Sequence, residues 1–177
     1  MQLNIKTPNS AEEVKELRTL FEDYLKLVYW TEKAFIPALS FITKSVSSKD
    51  FSRILTIHLA NTHIHYDRVE KIFESIGIPP EEKRFEPIES YINEIQSCIS
   101  QTQMGMVRDA AVIALMQHII HSEIASYGTL KSFAVTLKED EVVMLLDRNL
   151  EDEKELDKKL SAIAEAYIND EAANKEI

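Results

Sequence analysis

Residues 107–130, VRDAAVIALMQHIIHSEIASYGTL, decide the fold that this sequence predicts, because they carry a long apolar pattern with a helical period. Apolar residues and one acid recur at steps of three and four, which places them on one face of a helix. This face contains Val112, Met116, Ile120, Glu123, Tyr127 and Leu130. An acid removed from water is costly unless it meets a metal ion, a cation or hydrogen-bond donors. Glu123 is therefore the first candidate functional residue, and a hydrogen-bonded core glutamate is the alternative.

The composition predicts an all-α protein with a single domain over residues 1–177. Only three glycines and five prolines occur in the chain, while good helix formers are abundant. The formal net charge of -10 argues against nucleic-acid binding, which needs a clustered basic surface. Cys98 is the only cysteine, so an internal disulfide is excluded.

The hydropathy pattern predicts no membrane span. No apolar run approaches the roughly 18 residues that a spanning helix needs. We also see no signal-peptide pattern ahead of the first charged segment. We therefore expect a cytoplasmic protein.

The apolar periodicity predicts four long helices, at about residues 11–45, 49–76, 107–137 and 141–168. The connection between the second and third is long and contains a short extra helix at about residues 87–100. Such a connection can carry the chain from one end of a bundle to the other. The sequence therefore predicts a ferritin-like four-helix bundle with a long crossover.

Polar residues gather near the middle of each long helix, and a bundle would bring them together halfway along its length. Proteins of this architecture build di-iron and di-manganese carboxylate sites there. The candidate metal ligands are Glu32, His58, Asn61, His65, Glu123, Glu153 and Asp157. Iron or manganese suits such ligands and could act on dioxygen or peroxide. Alternatives are an exposed Glu32 beside Lys33, and histidines that are exposed or hydrogen-bonded in the core.

The sequence resembles the YciE/YciF-type family of ferritin-like stress proteins over about residues 14–165. The most specific matches are residues 107–112, VRDAAV, and residues 121–130, HSEIASYGTL. Further matches are Thr31-Glu-Lys33, His58-Leu with Thr62 and Arg68, and Leu150-Glu-Asp-Glu-Lys154 with Asp157 and Leu160. The resemblance implies a ferritin-like homodimer with a candidate dinuclear metal centre and a role in stress responses.

The chain departs from that family at two metal-ligand positions. Ala60 and Asn61 stand where the family has a glutamate pair, and Ile120 stands where it has a glutamate. Two bridged divalent ions need roughly four acids to balance their charge. The sequence therefore predicts a partly degraded di-metal site that holds one ion or none.

Two other interpretations stay open, and with them the question of whether the protein is an enzyme. Without a metal ion, the acids would be protonated or paired with Arg68, Lys154 or a histidine, and the protein would act through self-association or partner binding. A zinc site at His118 and His121, which are three residues apart, together with a histidine of the second long helix, is the weaker alternative. Iron storage is not indicated by the sequence or by the resemblance.

Overall fold

A computed structural model describes the backbone of residues 10–174 and the side chains of residues 16–174. In chain order the helices are α1 (Ser10–Thr43), α2 (Lys49–Ser75), α3 (Glu86–Gln101), α4 (Met106–Leu137) and α5 (Asp140–Ile163). A π-helical turn, Ala164–Ile168, and a short α6, Asn169–Ala173, extend α5. The predicted all-α fold, a four-helix bundle with a helix in its crossover, is confirmed.

Most helix bounds lie within two residues of the predicted ranges. Helix α5 differs from the predicted range 141–168, because residues 164–168 form a π-helical turn. Tyr167 in this turn forms a hydrogen bond with Ser48 across the bundle. Within residues 10–174, none of the helices combines the length and the apolar character needed to cross a membrane.

The bundle core consists of two apolar clusters with a polar layer between them. At one end the four long helices contribute residues such as Phe35, Leu55, Met116 and Leu160. At the other end they contribute residues such as Phe21, Val69, Leu130 and Leu146. The segments between these clusters carry the buried Glu32, His65, Glu123 and Glu153. The fold therefore places acids from three helices and a histidine from the fourth at the middle of the bundle.

Helix α2 buries one residue at alternating steps of four and three. The positions with this spacing are Phe51, Leu55, His58, Thr62, His65, Val69 and Ile72, and Phe73 beside the last of them is also buried. This spacing is the heptad pattern with which a helix faces its neighbours in a bundle. The apolar residues at both ends thus fix which face of α2 points inward, and His58 and His65 come to lie inside.

A buried aspartate on α4 anchors the turn between α1 and α2. Asp109 is fully buried, and its carboxylate accepts hydrogen bonds from the backbone amides of Ser47 (2.9 and 3.0 Å) and Ser48 (2.6 Å). The preceding Arg108 donates to the carbonyl oxygens of Ser45 and Thr102. Arg108 and Asp109 thus tie two connections to the start of α4.

Candidate functional site

Five of the predicted ligand residues converge in the polar layer: Glu32 from α1, His58 and His65 from α2, Glu123 from α4 and Glu153 from α5. Each of these residues is at most 3% exposed to solvent. We call this group the core cluster. The structure therefore brings three acids that are far apart in the chain together at the middle of the bundle, as the sequence predicts.

His65 lies between two of the acids. Its Nδ1 atom is 3.5 Å from Glu32 Oε1 and 3.3 Å from Glu153 Oε1. Burial alone would lower the pKa of His65, but the negative charges of Glu32 and Glu153 close to the ring raise it to about 10. His65 is therefore the cation of the core cluster at neutral pH.

Glu123 and Tyr127 lie one turn apart on α4 and meet Glu32. Tyr127 donates a hydrogen bond to Glu32 Oε1, and burial raises the pKa of Tyr127, so it stays protonated. Burial, reinforced by the charges of Glu153 and Glu32, raises the pKa of Glu123 well above its ordinary value. Glu123 is thus the carboxyl group that most readily keeps its proton.

His58 has a different environment from His65. Its Nδ1 atom is 3.9 Å from Glu153 Oε1, and its ring packs edge-on against Phe35. Burial, with a smaller contribution from the charge of His65, lowers the pKa of His58 to about 3. At neutral pH His58 is therefore uncharged. Burial also raises the pKa of the neighbouring Glu153, although the interaction of Glu153 with His65 lowers it.

The core cluster contains most of the buried polar atoms that lack a hydrogen-bond partner. Six such atoms occur among the described side chains, and five belong to the cluster. They are His58 Nε2, His65 Nδ1, Glu123 Oε2, Glu153 Oε1 and Glu153 Oε2. Unpaired buried polar atoms are costly, so the cluster has capacity to bind further protons, water or an ion.

Asp157 and Asn61 do not join the core cluster. The inward face of α5 continues from Glu153 to Leu156 and Leu160, so Asp157 turns away. Its Oδ1 atom instead accepts hydrogen bonds from Gln117 and His121, both at 3.0 Å, on the outer side of α4 and α5. On α2 the inward position is Thr62, which leaves Asn61 half-buried in a surface cleft.

The predicted cations pair elsewhere. Arg68 Nη1 donates to Asn149 Oδ1 (2.9 Å) and Asp152 Oδ2 (2.8 Å), and Lys154 pairs with the exposed Glu151. Sequence reasoning missed Asp152, which also contacts His65 Nε2 at 3.2 Å. The sequence does not indicate a role for Asp152, because the residue next to Glu153 on the helix lies off the inward face and is only half-buried.

The residues do not fit a dinuclear metal centre. Ile120 is fully buried and has no ligand atom, and Asn61 and Asp157 lie outside the core cluster. Among the described side chains, no group of three or more His, Cys, Asp or Glu residues is arranged to hold a metal ion. A dinuclear iron or manganese centre would need about four acids, and three remain in the cluster.

Comparison with known proteins finds one family model and one relative that match most of this chain. Residues 16–173 match the family described as Domain of unknown function (DUF892). The chain is 34% identical over 163 residues to Protein YciF from Escherichia coli K12, covering 92% of this chain and 98% of that protein.

Two solved structures are similar in fold. The crystal structure of the E. coli stress protein YciF matches with a TM-score of 0.82 and 33% identity, covering 86% of this chain and 97% of that one. YcfI from Rhodopseudomonas palustris, a proposed structural protein, matches with a TM-score of 0.79 and 29% identity, covering 91% and 97% of the two chains.

Proposed function

This chain belongs to the DUF892 family, and from that membership we propose that it is a ferritin-like stress protein that works without a dinuclear metal centre. In this proposal it acts through self-association or partner binding, with the core cluster as a structural element. The structural role proposed for the R. palustris relative is consistent with this function.

The observation that carries the proposal is the position of His65. Its imidazolium lies within 3.5 Å of carboxylate oxygens of both Glu32 and Glu153. With Glu123 protonated and Tyr127 donating to Glu32, the chain's own groups neutralise most of the charge that metal ions would otherwise balance. A proton on His65 also competes directly with a metal cation for the same carboxylates.

A second candidate function is a protein that holds one iron or manganese ion in the core cluster. The five unpaired buried atoms favour it. His65 Nδ1 lies 3.5 Å from Glu32 Oε1 and 3.3 Å from Glu153 Oε1. Two ligand atoms that each lie about 2.1 Å from one ion are about 3.0–3.4 Å from each other, which is close to these distances. Glu32, Glu123 and Glu153, with neutral His65, would hold the ion after their side chains move, since no group of three or more such residues within residues 16–174 is arranged to hold one. Such an ion could supply the reactivity with peroxide or dioxygen that the sequence predicts.

Metal analysis of protein purified without chelator separates the two functions. We expect well under one iron or manganese ion per chain, no change in Tm between EDTA and added Mn²⁺, and no peroxide consumption above a buffer control. Stoichiometric metal that is lost in Glu123→Gln would overturn the metal-free proposal and support the single-ion function.

Asp157→Asn is the matched control for that experiment, because Asp157 lies on the same bundle but outside the core cluster. It should leave metal content and Tm response unchanged in either case. A loss of metal in Asp157→Asn as well as in Glu123→Gln would contradict a single-ion site confined to the core cluster.

We propose that the self-associated form of the protein is a homodimer. The exposed Leu20 and Tyr24 on α1, 44% and 38% exposed, support it, since they lie four residues apart on one helix face and exposed apolar side chains favour association. Sedimentation velocity at two concentrations measures the assembly state, and a monomer at both would remove the homodimer. The cytoplasmic location and the lack of nucleic-acid binding stay predictions from the sequence.

A further inference from the structure

A cleft of about 170 Å³ lies between α2 and α5, on the outer side of His58. Ile54, Ile57 and Leu156 form its apolar walls. The buried His58 lies at its inner end, and the exposed Arg53 and other charged side chains lie at its mouth. The cleft is thus apolar along its sides and polar at both ends.

The charges at the mouth leave one cation without a partner. Lys159 pairs with Glu155 at 2.7 Å, and Asp152 pairs with Arg68 at 2.8 Å. Arg53 makes neither a hydrogen bond nor an ion pair with any side chain in residues 16–174. A guanidinium recognises a carboxylate with two parallel hydrogen bonds, so Arg53 is a suitable partner for a carboxylate ligand.

The inner end of the cleft adds neutral hydrogen-bonding groups. His58 Nε2 has no hydrogen-bond partner, and the half-buried Asn61 contributes an amide beside it. This end of the cleft therefore offers hydrogen bonds to a polar group of a ligand, because the buried His58 Nε2 has no partner within residues 16–174.

We propose that this cleft binds a small monocarboxylate with an aromatic or branched aliphatic body. The carboxylate pairs with Arg53 at the mouth, and the body packs between Ile54, Ile57 and Leu156. The volume of about 170 Å³ suits this class, because an apolar cavity of about 150 Å³ holds benzene. This proposal goes beyond the proposed function and does not depend on whether the core cluster holds a metal ion.

Benzoate is the probe for this site, with benzyl alcohol as its uncharged analogue. In chelator-treated protein, we expect benzoate to give saturable NMR shifts of the methyl groups of Ile54, Ile57 and Leu156. We expect Arg53→Gln to weaken benzoate binding about threefold to fivefold, the range of an exposed ion pair, and to leave benzyl alcohol unaffected. Equal effects on both probes would overturn the role of the carboxylate.

Two matched variants on α2 test the position of the site. Ile57→Glu removes an apolar wall and adds a negative charge at the mouth, so it should abolish benzoate binding. Ile64→Glu makes the same change at an equally exposed position two turns away, outside the cleft, and should leave binding unchanged. The absence of saturable shifts up to about 20 mM benzoate, or equal loss in both variants, would overturn the proposal.

Discussion

Asp109 stabilises the fold through backbone hydrogen bonds that no other side chain can supply. Its carboxylate is fully buried and accepts from the amides of Ser47 and Ser48, directly before α2. Asp109→Ala leaves these amides without a partner at the start of a helix. We expect it to lower the free energy of unfolding by about 2–4 kcal/mol, measured by urea denaturation at pH 7.

Asp147→Ala is the control for this prediction. Asp147 is 45% exposed and pairs with Lys131 on the surface. Loss of such a pair costs about 0–1 kcal/mol. Equal losses of stability in the two variants would show that Asp109 contributes no more than a surface ion pair.

His65 makes stability depend on pH. Its pKa is about 10 in the folded protein, mainly because Glu32 and Glu153 outweigh the effect of burial, against about 6.5 in an unfolded chain. The protonated ring therefore stabilises the fold fully below about pH 6.5, and this contribution is lost as the pH rises toward 10. We expect His65→Gln to cost most stability near pH 6 and progressively less toward pH 10, in denaturation curves at several pH values.

The exposed His63 is the control for this pH dependence, since it lies two residues away and outside the core cluster. His63→Gln should keep the wild-type dependence of unfolding free energy on pH. A cost of His65→Gln that is constant from pH 6 to 10 would mean that the ring is not the cation of the cluster.

At the scale of single helices, the register of α2 is the clearest example of what sequence reasoning can and cannot resolve. The helical period of α2 allows either Ile57 or His58, and either Ile64 or His65, to face inward. Hydropathy alone favours the isoleucines, yet both are about half exposed and both histidines are buried. The heptad spacing from Phe51 to Ile72 gives the correct register.

The position of Asp157 could not be predicted from the periodicity of α5. A helix of 3.6 residues per turn places steps of three and four about equally close to one face. The spacing in the sequence therefore allows either Leu156 or Asp157 to follow Glu153 on the inward face. Packing of Leu156 in the apolar cluster decides between them, and this contact joins residues that are far apart in the chain.

The crossover segment before α3 runs along α1 and is attached by ion pairs of alternating sign. These pairs are Lys26–Glu81, Lys33–Glu82 and Lys83–Asp23. The Lys83 amide also donates to the carbonyl oxygen of Lys26 at 3.2 Å. We expect Glu81→Gln with Glu82→Gln to cost about 1 kcal/mol or less, but to speed hydrogen exchange at the Lys83 amide.

Glu151→Gln with Glu155→Gln is the control for this double variant, because it removes two surface ion pairs within α5. It should leave exchange at Lys83 unchanged. About 0.5 M NaCl should mimic the first variant by screening exposed charges. If neither salt nor the first variant changes the exchange rate, backbone contacts alone hold the segment.

For the whole molecule, the sequence was sufficient for the bundle and for most of the core cluster. Each long helix has apolar ends and a polar middle, so aligning the helices puts Glu32, Glu123 and Glu153 at one level. The contacts of Arg108 and Asp109 with distant backbone were not predictable, since neither residue type nor spacing indicates which amides a buried acid meets.

The prediction of a partly degraded di-metal site can be tested by restoring the two acids that the resembling family has at positions 61 and 120. Asn61→Glu with Ile120→Glu restores both acids, one at the fully buried position 120 on the inner face of α4 and one at the half-buried position 61 on α2. In EDTA we expect this variant to be less stable than the wild type, because Ile120 is fully buried and a carboxylate there is costly. Added Mn²⁺ should offset that cost, since an ion bound only by the folded state stabilises it by about 4 kcal/mol at a thousandfold excess over Kd. For a chain of this size such a gain raises Tm by about 8–16 °C, which differential scanning calorimetry with and without Mn²⁺ measures.

Asn61→Gln with Ile120→Gln is the matched control, because it adds similar volume without charge and should gain nothing from the ion. A metal-dependent rise in Tm in the wild type equal to that of the restored variant would mean that three acids and His65 already suffice, and that the two substitutions did not remove metal binding.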